Sequence, residues 1–71
     1  MTDKERAIFS DVYYFYFVHR TAQTLAEWER LAQDMTEISV RHKSKLCDAL
    51  LVALADVVEE QMGSQKARGN G

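Results

Sequence analysis

Side chains with catalytic chemistry are few in this chain and lie far apart. His19 and His42 are its two histidines, and Cys47 is its one cysteine, among 71 residues. A histidine beside a carboxylate can move protons near neutral pH or bind a metal ion. A cysteine that follows a basic turn, in the first turn of a helix, can lose its proton to the helix dipole and act as a nucleophile. The spacing here assembles neither arrangement. A zinc site needs about four ligands at close intervals, and the chain has only Cys47, the two histidines and scattered carboxylates. There is no phosphate loop, metalloprotease helix or nucleophile elbow. The expectation is therefore no catalytic residue, no metal, no cofactor and no enzyme. His19 and His42 read as helix-end or surface histidines. Cys47 reads as a buried structural thiol.

Tyr13, Tyr14, Tyr16 and Phe17 could stack on nucleic-acid bases. Such a platform needs interleaved basic residues, and only His19 and Arg20 are near. Contact with protein is the preferred reading, with Tyr14 the best candidate for an exposed ring. The segment Arg41-His42-Lys43-Ser44-Lys45 supplies the alternative, with Arg41, Lys43 and Lys45 as candidate phosphate contacts. The helix that follows is apolar and acidic, which does not suit a recognition helix. All eleven acidic residues lie within residues 1–62, while Lys66 and Arg68 lie in the tail, and the net charge is −2. That balance argues against general nucleic-acid binding, which rests on neutralising phosphates. Glu27, Glu29, Asp34, Glu37, Asp56, Glu59 and Glu60 could imitate nucleic-acid charge, but interspersed arginines favour a solvated face.

These residues must be positioned by helices. The chain has no proline, and Gly63, Gly69 and Gly71 are its only glycines. Residues 1–62 thus contain neither strong breaker. Thr2-Asp3-Lys4-Glu5 has capping-box spacing, which starts a first helix over about 3–20; Ser10 is a second candidate start. Ile8, Val12, Phe15 and His19 share one face of it. Phe9, Tyr13, Tyr16, Phe17 and Val18 widen the apolar arc far beyond the ~100° stripe of a surface helix. Residues 12–18 also favour a strand, but they do not alternate and have no partner strand. Thr24-Leu25-Ala26-Glu27 is another capping box and opens a second helix over about 25–42. Leu25, Trp28, Leu31, Ala32, Met35, Ile38 and Ser39 form its core stripe, which makes Trp28 a core residue. Arg30–Asp34 and Glu37–Arg41 are opposite charges one turn apart. Ser44 can cap a third helix over about 45–62 that stops at Gly63. Leu46, Leu50, Ala53, Leu54 and Val57 are its expected main stripe, widened by Cys47, Leu51, Ala55 and Val58. Residues 63–71 read as a disordered tail.

The fold expected is a compact all-α three-helix bundle in one domain. A chain this short buries only about 60% of its unfolded surface and usually needs a disulfide, a metal or an oligomer. The lone cysteine excludes an internal disulfide. The first and third helices carry more apolar surface than one core needs, so a homodimer or a fixed protein partner is expected. Phe9, Tyr13, Tyr14, Tyr16, Phe17, Leu51, Ala55 and Val58 are the candidate interface. The longest apolar run, Leu46 to Val58, contains Asp48 and Asp56 and is too short to span a bilayer. With no signal-peptide pattern at the start, the expected location is the cytoplasm, with no membrane partner.

The chain also carries Val12-Tyr13-Tyr14-Phe15-Tyr16, then Glu27-Trp28-Glu29-Arg30-Leu31, then a basic turn, then Leu46 through Glu60. In this order it resembles short helical proteins encoded by phages and prophages of Firmicutes, over residues 11–61. Many of those have tyrosine where this chain has Glu27. The resemblance implies a small accessory protein in a bacterial host cell, such as a regulator or an inhibitor of a defence system. It implies no catalytic residues.

Overall fold

The computed structural model describes the backbone of residues 1–69 and the side chains of residues 1–62. Three helices follow one another: α1 (Asp3–His19), α2 (Leu25–His42) and α3 (Lys45–Gly69). Each packs against both others. No strand occurs among the described residues.

Local chemistry accounts for the helix starts. The Thr2 hydroxyl accepts from the Glu5 amide, and the Glu5 carboxylate accepts from the Thr2 amide, at 3.1 and 2.8 Å. Thr24 and Glu27 repeat the arrangement at the head of α2. There the Glu27 carboxylate also accepts from the Gln23 amide, and these hydrogen bonds hold its pKa below the ordinary value. Each box satisfies backbone donors that the first turn leaves free. The first helix thus starts at Asp3, and Ser10 lies within it. At the end of α2, Lys43 takes a left-handed conformation (φ 48°) and its amide donates to the Ser39 carbonyl. A side chain with a Cβ adopts that region at some cost. The turn is short because Ser44 already caps α3, its Oγ accepting from the Cys47 amide at 3.4 Å.

The core contains Ile8, Val12 and Phe15 from α1, Ala22, Leu31 and Ile38 from the middle of the chain, and Cys47, Leu51, Ala55 and Val58 from α3. Tyr16, Trp28, Met35, Leu50 and Leu54 pack against it while partly buried. The expected α1 face is buried as read. In α3 the core face is the one expected only to widen the stripe. Leu46, Val52 and Val57 are exposed there. The two alternatives differ by about one residue, or 100°, around the helix. A helix apolar on so much of its circumference carries no sharp polar boundary to choose between them, and packing against α1 and α2 decides.

The third helix also runs past Gly63, where it was expected to stop, to Gly69. Gln65, Lys66, Ala67 and Arg68 all favour helix, and one internal glycine costs only about 1 kcal/mol relative to alanine. The helix end expected at Gly63 is thus moved to Gly69. Residues 70 and 71 lie outside the described residues.

Candidate functional site

Each histidine of the chain is bound to a carboxylate of another helix. His19, the last residue of α1, is 8% exposed. Its Nε2 lies 2.9 Å from Oδ2 of Asp34 on α2, and its ring leans on Phe15. His42 closes α2, and its Nε2 lies 2.7 Å from Oδ2 of Asp11 in α1. A carboxylate only accepts, so Nε2 is the donor in both pairs. Arg41 donates to the same Asp11 oxygen at 3.0 Å. The hydrogen bond from His42, with Arg41 behind it, lowers the pKa of Asp11. The two pairs clasp α1 to α2 at separate levels. They bound a shallow groove lined by Asp11, Tyr14, Val18, Asp34 and Arg41.

These contacts correct the sequence reading of the polar residues. His19 keeps its expected place at the helix end and on the buried face of α1, and only the surface alternative is excluded. Asp34 and Arg41 reach across to α1, and among the described residues neither makes the intrahelical ion pair its spacing offered. Nothing in the sequence marks Asp11 and Asp34 as histidine partners. The pairing exists only once α1 lies antiparallel to α2.

Cys47 is fully buried, and burial pushes its thiol pKa up, with Asp48 and Asp11 adding to the effect. This is the reverse of what a nucleophile requires. No group of three or more histidine, cysteine, aspartate or glutamate side chains is placed to hold a metal among the described residues. In the basic turn, Arg41 pairs with Asp11, and Lys43 and Lys45 are exposed.

The exposed surface of α1 is different in kind. Phe9, Tyr13, Tyr14, Phe17 and Val18 are all exposed, the two tyrosines at 63% each and Phe17 at 52%. Tyr13 and Phe17 stack with ring centroids 6.2 Å apart, and Tyr14 meets Tyr13 edge to face at 5.9 Å. The Arg20 guanidinium lies 4.7 Å above the Phe17 ring. Tyr14, Tyr13, Phe17 and Arg20 thus form one continuous line of contacts along the outer side of the helix. Tyr16, also expected in the interface, is partly buried against the core. Leu51, Ala55 and Val58 fill the core of a single copy and are corrected from interface to interior. They turn inward because α3 packs on the face that carries Cys47.

Comparison with protein-family models, with curated proteins and with solved structures finds no match. No helix among the described residues is long and apolar enough to cross a membrane.

Proposed function

We propose that this protein is a non-enzymatic protein–protein interaction module that works through the outer face of α1 and forms a homodimer. The single observation that carries this reading is the exposed aromatic strip Phe9–Tyr13–Tyr14–Phe17 on the solvent side of α1. Exposed apolar patches on small soluble folds mark contact surfaces. Aromatic rings are enriched at interfaces because they bury a large area at the loss of few rotatable bonds. The strip is not needed for the core, since Ile8, Val12, Phe15 and His19 already present the buried face of the same helix. The buried thiol, its pKa pushed up, does not suit a nucleophile. The likeness to short phage and prophage proteins extends the proposal to a regulator of a bacterial protein, such as a component of a defence system.

Size-exclusion chromatography with light scattering tests the reading. At about 10 µM the protein should elute with a mass above the 8.2 kDa of one chain. Tyr13→Ser with Phe17→Ser should return it to a monomer with unchanged helical circular dichroism. A wild-type monomer, or a dimer indifferent to these two changes, would overturn it.

A further inference from the structure

The solvent side of α1 carries a second pattern beneath its aromatic residues. Asp3, Arg6, Ser10, Tyr13 and Phe17, with Arg20 at the C-cap just past the helix, are all exposed and follow one another at alternating steps of three and four residues. This is the spacing of a coiled-coil seam, in which two helices keep one stripe in contact along their length. Phe9 and Tyr14 flank it. The seam is not uniformly apolar, and the placement of its charges selects how two copies can meet.

In a parallel pair every seam residue faces its own copy. Asp3 would then meet Asp3, Arg6 would meet Arg6 and Arg20 would meet Arg20, so each charged layer is repulsive. In an antiparallel pair with the centre between Ser10 and Tyr13, Asp3 faces Arg20 of the second copy. Arg6 faces Phe17, and Ser10 faces Tyr13, whose hydroxyl and side chain lie in one layer. Each of these layers occurs twice by symmetry. The Arg6–Phe17 layer repeats between copies the cation–π geometry that Arg20 already makes with Phe17 within one copy, at 4.7 Å. The stripe is therefore complementary to itself in one direction only.

We infer that the partner of the α1 face is a second copy of this chain, seated antiparallel with Asp3 of each copy against Arg20 of the other. This rests on the reading of α1 as the interaction surface. It adds the occupant's direction and register. The contact is isologous, as closed two-fold dimers require. Two helices of 17 residues meet over an area at the small end of stable interfaces.

Charge reversal tests the inference by sedimentation equilibrium at low salt. Asp3→Arg places two arginines in the end layers, and Arg20→Asp places two aspartates there. Each should weaken association by about fivefold. The double variant Asp3→Arg/Arg20→Asp restores both layers and should associate like the wild type. Either reversal also opposes the helix dipole, so recovery in the double variant separates pairing from helix stability. Thermal melts of each variant by circular dichroism show that the fold is retained. A parallel dimer predicts no loss in the single variants, since each like-charge layer only changes sign. If Tyr13→Ser with Phe17→Ser abolishes the dimer while the single reversals do not weaken it, the antiparallel register is overturned and the α1 surface stands. If the wild type is monomeric throughout, both fall.

Discussion

At Asp11 one carboxylate oxygen holds two donors from the end of α2, one from His42 and one from Arg41. Both favour the ionised acid, and the pKa is lowered accordingly. The sign of the linkage follows. The unfolded chain has the higher pKa, so the stabilisation is complete above the ordinary carboxylate value and is lost as pH falls through the folded value. The Asp11 side chain is 31% exposed, and solvent screening keeps such a pair near the surface scale of about 1 kcal/mol. Asp11→Asn should therefore lower urea-unfolding stability by about 1 kcal/mol at pH 7. The gap to the wild type should close as pH is lowered through the carboxylate range. A constant gap from pH 7 to pH 2 would show that the carboxylate charge is not what the clasp uses. Trp28 belongs to the same scale. Periodicity placed it in the core, and it packs there while remaining partly exposed. Trp28→Ala should cost about 2–3 kcal/mol in thermal or urea unfolding, below the 3–5 of a fully buried ring.

At the scale of elements, the starts of the helices are local events and their buried faces are not. Thr2–Glu5 and Thr24–Glu27 are capping boxes by spacing alone, and both form. The α1 face is equally legible, because Ile8, Val12, Phe15 and His19 recur at helical intervals and all are buried. The third helix is not. Its apolar residues surround so much of the axis that two phases fit the pattern, and the core takes Cys47, Leu51, Ala55 and Val58. This assignment is measurable. Leu51→Ala should cost about 2–5 kcal/mol, since Leu51 is fully buried. Val57→Ala, at a residue 40% exposed, should cost less than about 1 kcal/mol. Equal losses would mean that α3 is rotated from the phase described.

For the whole molecule, a small core and an aromatic outer strip belong together. A 71-residue bundle is only marginally supported by its own burial. Covering the α1 strip would bury apolar surface that a single copy leaves exposed. The expectation of no nucleic-acid contact rests on the net charge of −2 and on the pairing of Arg41 with Asp11. In a gel-shift with mixed DNA and RNA at physiological salt, the protein should leave both unretarded. A shift abolished by alanine at Arg41, Lys43 and Lys45 would revive the phosphate-contact reading.

Three helices, their capped starts, the buried side of α1 and the excess of aromatic surface beside it follow from the order of residues alone. These depend on residues within a turn or two of one another, where periodicity and capping act directly. The tertiary structure decided which side of α3 faces inward, that Leu51, Ala55 and Val58 belong to the core, and that His19 and His42 find Asp34 and Asp11. Each is a contact between elements distant in sequence. It is set by how three helices share one small volume, and no spacing along a single helix encodes it.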